Sequence, residues 1–159
     1  MPIRYAIGDA LEPAYRPAII PHIVNDINRF GSGFAGAMAA KWPHAKAEYH
    51  AWARQEFEFP LVLGLVRWSP VTEDIVVVHM CAQHGLRGPA NPHPLALVAL
   101  DQCLGLVART AVRFPGYTLH MPRIGCGLSG GTWAEVEPLI QRHLSQLDVT
   151  VYDLPQEAP

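Results

Sequence analysis

Between residues 121 and 131 the chain reads Met-Pro-Arg-Ile-Gly-Cys-Gly-Leu-Ser-Gly-Gly, after a strand-like run at 117–121 and before a helix-like run at 132–147. Thr132 and Glu135 have the T-x-x-E spacing of a capping box, which marks the start of that helix. Glycines placed between a strand and a helix leave backbone N–H groups free and let a ligand approach the main chain. That combination suits a phosphate. A second segment, Phe30-Gly-Ser-Gly-Phe34, also precedes a helix-like run. One such loop is explained well enough as a tight turn. Two of them in a small domain point to a ligand with two linked phosphates.

The remaining pattern places these loops in an α/β chain. Strands are expected at 3–7, 18–24, 62–68, 74–80, 117–121 and 149–154, with the 62–68 and 74–80 pair joined by a turn at 69–73. Helices are expected at 34–41, 43–55, 94–112 and 132–147, with loops at 25–33 and 81–92. Strands alternating with helices imply a mixed central sheet covered on both faces, an α-β-α sandwich. Ligands in such folds bind beyond the carboxyl ends of the strands. Both glycine loops, the 81–92 loop and Asp153 all follow strands, so they are expected to converge there.

Half of the 159 residues are hydrophobic and the net charge is −2, which suits one domain and disfavours a broadly basic nucleic-acid or membrane surface. A single domain is expected over 1–155, with a short tail at 156–159. Cys81, Cys103 and Cys126 lack metal-ligand spacing and suit a reduced, cytoplasmic setting. The histidines show no ligand spacing either, so neither metal nor cofactor is expected. No coiled coil argues for assembly, and a monomer is expected. The alanine- and proline-rich composition is compatible with a bacterial source.

Gly125-x-Gly127-x-x-Gly130 also matches the dinucleotide fingerprint, with Asp153 roughly 20 residues further on, near where a ribose-binding acid would stand. A Rossmann oxidoreductase is therefore the nearest rival. It would leave the loop at 30–34 unexplained. A Walker-type site fits less well, since neither loop ends in Gly-Lys-Ser/Thr.

Four segments, in order, resemble the macrodomains, which bind ADP-ribose: Gly8-Asp9-Ala10, the run from Ile23 through Asn28 into Gly31-Ser-Gly33, the loop from Pro122 to Gly130, and the strand from Val149 to Leu154. The Pro-Arg-Ile-Gly-Cys-Gly-Leu run followed by Trp133 is similar to the branch containing terminal ADP-ribose protein glycohydrolase and the DNA ADP-ribosyl glycohydrolase antitoxins. The resemblance implies a three-layer macrodomain. It implies that Asp9 and Ala10 meet the adenine amino group, that Tyr152 stacks on the base, and that Asp153 stands beside it. Gly31, Ser32, Gly33, Phe34 and Ala35 would then hold the pyrophosphate from one side. Ile124, Gly125, Cys126, Gly127, Leu128, Ser129 and Gly130 would hold it from the other. Asn25, Asn28 and Gln83 would surround the distal ribose.

The branch assigns catalysis to a lysine after the middle strand and an aspartate in the second glycine loop. Here residues 80–86 contain no lysine, and Ser129 stands in the aspartate's place. A lysine nucleophile is therefore ruled out. The remaining candidates for catalysis are Asn28, which could hold a water, and His84 and Asp26 as acid or base. Arg123 is expected to support its loop. The implied function is an ADP-ribosyl hydrolase that removes mono-ADP-ribose from acidic side chains of proteins, with ADP-ribosylated nucleic acid as a further partner. The alternatives are a non-catalytic ADP-ribose reader, or an ADP-ribose 1''-phosphate phosphatase or O-acetyl-ADP-ribose deacetylase.

Overall fold

The computed structural model describes residues 2–156; the expected tail beyond 156 lies outside the described residues. The elements run β1 (Arg4–Ile7), β2 (Ala18–Asn25), α1 (Gly33–Lys41), α2 (Pro43–Ala53), β3 (Val66–Thr72), β4 (Ile75–Gln83), α3 (Leu97–Ala111), β5 (Thr118–Pro122), α4 (Trp133–Leu144) and β6 (Val149–Asp153). They form one six-stranded sheet in the order β1-β6-β5-β2-β4-β3. Among the strand pairs of the described residues, β3–β4 is antiparallel and the others are parallel.

Side chains alternate across the sheet, and each face meets its own helices. Ile19, Val78, Met80, Leu119 and Met121 pack under α3 and α4, where Leu100, Leu104, Val107, Val136 and Ile140 complete the larger core. Val136, Ile140 and Leu144 recur every four residues, so α4 presents a single apolar stripe. Ile20, Val77, Met38 and Trp42 fill the opposite face under α1 and α2. Trp42 closes α1 by donating its N–H to Met38 O at 2.7 Å, and Pro43 opens α2, where its missing N–H costs nothing.

Several expected boundaries move. Strand β3 runs through Pro70 to Thr72 instead of ending at Trp68, and the turn narrows to residues 73–74. Proline is tolerated there because β3 is an edge strand with an irregular register between Pro70 and Thr72. Residues 62–65 form a turn instead of strand, with Gly64 at φ +95°. Strand β4 extends to Gln83, three residues into the expected loop, because Cys81 and Ala82 are small and buried and both Cys81 and Gln83 still pair with β2. Helix α3 starts at Leu97 and not at Pro94, since Leu95 bridges to Gln83 and Ala96 N–H donates to Ala82 O at 2.8 Å. Among the described residues, no helix is long and apolar enough to cross a membrane.

Leu100 is fully buried at the α3–sheet contact. Leu100→Ala should lower stability by about 2–5 kcal/mol in urea unfolding, whereas Val98→Ala, at an exposed position on the same helix, should change little.

Candidate functional site

The carboxyl ends of β2, β4 and β5 stop at Asn25, Gln83 and Pro122 along one edge of the sheet. Beyond that edge lies a cavity of about 700 Å³, a size suited to a small-molecule ligand. Gly31, Ser32, Gly33, Phe34 and Ala35 line one wall. Ile124, Gly125, Gly127, Leu128 and Ser129 line the other, and Asn25 and Gln83 close one end. Both glycine loops therefore face the same space.

Among the described residues, the backbone N–H groups of residues 31–35, and of Gly125, Gly127, Leu128 and Ser129, donate to no protein acceptor. Helix α1 is capped at Ser32 with no side-chain hydrogen bond, so its positive end is open to the cavity. Helix α4 differs. The Glu135 carboxylate accepts both the N–H and the hydroxyl of Thr132, at 3.0 and 2.9 Å, and fills that terminus. The second loop thus offers its own N–H groups, and only α1 offers a helix end. Gly125 and Gly130 both have φ of +77°, and a Cβ on Gly130 would lie 2.8 Å from Pro92 O. Glycine is required there by conformation as well as by space. At Gly127 nothing lies within 4 Å of a built Cβ.

Asn25 anchors the closed end. Its side-chain oxygen accepts the N–H groups of Ile27 (3.1 Å) and Arg29 (3.2 Å), and its amide donates to Arg29 O at 2.7 Å. The buried Tyr49 hydroxyl lies 2.8 Å from Asn25 O and 2.9 Å from its Oδ1. Across the cavity, the Ser129 hydroxyl donates to Gln83 Oε1 at 2.6 Å, while Gln83 Nε2 donates to Gly85 O at 3.0 Å. Leu95 N–H also donates to Ser129 O at 2.9 Å. These bonds tie the second glycine loop to the β4–α3 loop.

Asp26 and His84 meet on the rim. His84 Nδ1 lies 2.7 Å from Asp26 Oδ2, and Gly85 N–H donates to Asp26 Oδ1 at 2.9 Å. Partial burial alone would raise the Asp26 pKa; the Gly85 N–H and the His84 contact outweigh it and hold the carboxyl below its ordinary value. Asn28 stands apart. Its φ is +63°, and its Oδ1 meets His50 Nδ1 at 2.5 Å, on the α2 side and outside the cavity lining.

Asp9, Ala10, Tyr152 and Asp153 gather at the carboxyl ends of β1 and β6, beside the cavity but outside its lining. Asp9 Oδ1 accepts Leu11 N–H at 2.9 Å, and Ala10 is buried. Tyr152 is only 6% exposed; its hydroxyl accepts Ala14 N–H at 2.9 Å and lies 2.7 Å from His120 Nδ1. Its ring runs beneath Gly8, 3.4 Å from a Cβ built there. Asp153 pairs with Arg123 through two contacts of 2.8 and 3.0 Å, which hold its carboxyl below the ordinary range. Arg123 also lies 5.3 and 5.2 Å from the ring centres of Tyr5 and Trp133. The arginine expected to support its loop is therefore clamped between two rings and a carboxylate. This explains the sequence pairing of Arg123 with Trp133. Cys126 is half-buried with its thiol near Ile124 O at 3.5 Å, and Gly130 closes the loop through Gly127 O at 3.0 Å.

Sequence reasoning missed the cavity floor. His22 lines it, with Nε2 2.7 Å from His79 Nδ1. Full burial pushes His22 down to about 3 and His79 well below its ordinary value, so the pair is neutral. The only signal was a histidine in two otherwise apolar strands.

At neutral pH, Asp26→Asn should loosen the junction and lower stability. Because the folded pKa of Asp26 is depressed, its contribution is present above the unfolded value and is lost as pH falls through the folded one. The stability gap between wild type and variant in urea unfolding should therefore close in acid.

No family model matches the chain. A solved macrodomain protein from Streptomyces coelicolor is 37% identical, with 96% of this chain and 99% of that one covered at a TM-score of 0.82. Chromodomain-helicase-DNA-binding protein 1-like from Danio rerio is 30% identical over 154 residues, spanning 90% of this chain but only 14% of that protein. The chain thus spans a small part of the first curated relatives it matches. ADP-ribose 1''-phosphate phosphatase from Saccharomyces cerevisiae is 24% identical over 96% of this chain and 98% of that enzyme.

Proposed function

The chain belongs to the macrodomain family, and on that premise we propose that it binds ADP-ribose and hydrolyses the bond at the anomeric carbon of the distal ribose. The observation that carries this reading is the set of unpaired N–H groups on two facing loops, with the α1 N-terminus open between them. A pyrophosphate laid there satisfies donors from both walls at once. Its direction follows from the two ends. The Asp9 turn offers a carboxylate acceptor for an adenine amino group. Asn25 and Gln83, at the other end, suit ribose hydroxyls.

The Asp26–His84 pair supplies the acid–base chemistry in this reading. With Nδ1 held by Asp26, the free His84 Nε2 accepts a proton from water. The water oxygen bonds to the anomeric carbon, and the bond to the substrate's carboxylate oxygen breaks. That oxygen leaves with the electron pair as a stable anion, so no proton need be delivered to it. Asp26 orients the imidazole and stabilises it once charged. The proposed target is mono-ADP-ribose esterified to an acidic protein side chain.

One observation favours a second reading, a non-catalytic ADP-ribose reader. The branch this chain resembles uses a lysine and an aspartate; here residues 80–86 hold no lysine, and Ser129, in the aspartate's place, forms a neutral hydrogen bond with Gln83. That pair positions a ribose and transfers no proton.

Incubation with a protein mono-ADP-ribosylated on glutamate decides between the two. Wild type should release free ADP-ribose. Gly127→Glu, which has room for its side chain but sets a carboxylate against the phosphates, should abolish both release and binding. His84→Ala should bind normally and release about 100-fold more slowly or less. Binding of ADP-ribose by wild type in calorimetry without any release would establish the reader.

A further inference from the structure

The turn that carries Asp9 is fastened to the sheet on both sides. At its start, Gly8 N–H donates to Asp153 O on β6 at 2.8 Å. At its far side, Ala14 N–H donates to the hydroxyl of Tyr152, also on β6, at 2.9 Å. In between, the turn closes on itself, through Leu11 N–H to Asp9 Oδ1 and Glu12 N–H to Asp9 O, both at 2.9 Å. Asp9 Oδ2 is left without a protein partner among the described residues. Lys41 Nζ adds a contact to Leu11 O at 2.6 Å from the end of α1. The tether at Gly8 joins main chain to main chain. The tether at Ala14 depends on a side-chain hydroxyl, and so on whatever orients that hydroxyl.

His120 orients it. This histidine is fully buried on β5, with Nδ1 2.7 Å from the Tyr152 hydroxyl and Nε2 2.7 Å from Thr118 Oγ1. Burial pushes its pKa down to about 4, so at neutral pH the ring is uncharged, with one donor and one acceptor nitrogen. The Tyr152 oxygen already accepts Ala14 N–H, and its own proton needs an acceptor in a buried site. His120 Nδ1 is that acceptor, which leaves the ring proton on Nε2 for Thr118 Oγ1. Each proton from Ala14 to His120 then has a partner. In the opposite tautomer, His120 Nδ1–H and Ala14 N–H would both point at the Tyr152 oxygen. The hydroxyl proton would then lack an acceptor, which is costly for a buried group. Tyr15, the next residue of the loop, rests beside the same imidazole, with ring centres 6.4 Å apart. His120 itself stands outside the cavity lining and in neither glycine loop.

We infer that His120 is a positioning residue for base recognition: by taking the Tyr152 proton it keeps the Tyr152 oxygen as the acceptor that holds the Asp9 turn, and so sets how sharply the protein tells adenine from other purines. The inference rests on the proposed orientation of ADP-ribose, which brings the adenine amino group to Asp9. A carboxylate accepts from an amino group and has nothing to donate to a carbonyl oxygen. A purine with oxygen in place of that amino group therefore sets acceptor against acceptor. The penalty is felt only if the turn cannot move aside, because discrimination of this kind depends on groups that stay unpaired with the wrong ligand. The chain from His120 through Tyr152 to Ala14 supplies that stiffness.

Calorimetry on the full chain with ADP-ribose and its hypoxanthine analogue, inosine diphosphate ribose, tests this, together with hydrogen exchange at the Ala14 amide. Wild type should bind ADP-ribose about tenfold or more tightly than the analogue. In His120→Leu the Tyr152 proton loses its acceptor. The Ala14 amide should then exchange faster, and the affinity ratio should fall towards one, mainly through weaker binding of ADP-ribose. His120→Asn, which returns an acceptor near the place of Nδ1, should recover part of the ratio. Tyr152→Phe removes a single oxygen and breaks the same tether, so it should reproduce His120→Leu, and the double variant should be no worse than either. Tyr152→Phe also carries the test if His120→Leu does not fold. Equal weakening of both ligands in the variants, with the ratio kept, marks a structural role only and overturns the inference. An unchanged ratio with undiminished Ala14 protection does the same, as does equal affinity of wild type for the two ligands; each of these leaves ADP-ribose binding intact. Failure of the wild type to bind either ligand overturns the ADP-ribose reading, and this inference with it.

Discussion

The point where β2 and β4 part governs everything at the carboxyl edge of the sheet. The two strands pair in register from Ala18 to Val24, and then the register shifts so that Asn25 faces Gln83. Beyond that step the chains diverge into separate loops, and the divergence opens the cavity. Asn25 is the residue that makes it affordable, because its side chain replaces the lost ladder bonds with contacts to Ile27, Arg29 and Tyr49. Asp26 then ties the two departing loops together through Gln83, His84 and Gly85. One wall of the cavity therefore has a fixed hinge line, and the second glycine loop is fastened to it through Ser129 and Leu95.

The glycine loops and the α4 cap were legible because their chemistry is local. A T-x-x-E pair, a Gly-x-Gly, or a glycine at positive φ is set by a few neighbouring residues. The mixed sheet followed from alternation alone, and the chain's macrodomain fold agrees with it. What the sequence concealed depends on distant partners. Asp153 looked like a ribose acid in the dinucleotide reading. Its carboxylate belongs to Arg123, 30 residues away. Asn28 looked like a ribose ligand from its place in the motif, but its positive φ turns it towards His50 on α2. The ends of β3 and β4 were misplaced because proline on an edge strand, and small residues in a buried one, read as turn and loop.

Ser129 shapes the cavity through its partner. Its hydroxyl donates to Gln83 Oε1 at 2.6 Å across the cavity end, and Leu95 N–H donates to Ser129 O at 2.9 Å. β4 and the second glycine loop are thereby bridged by groups that carry no charge. A single ionised side chain at either position would need a counter-charge, because a charge in a partly enclosed site needs a partner. A neutral pair keeps the bridge without that need.

With that bridge neutral, the charge of the cavity is set by its floor, walls and rim. Its floor is neutral, since burial keeps His22 and His79 uncharged, and the nearby His120, pushed down to about 4, is uncharged as well. Its walls offer N–H dipoles, and its rim carries two arginines with no carboxylate partners among the described residues. With Arg123 cancelled by Asp153, no ionised group of the lining opposes Arg29 and Arg87. The field in the cavity is therefore positive from the backbone donors out to the rim, in a protein whose net charge is negative. Such a field suits an anionic ligand through local arrangement and not through bulk electrostatics. For that reason overall composition, which disfavours a polyanion partner, and the site, which favours one, are consistent.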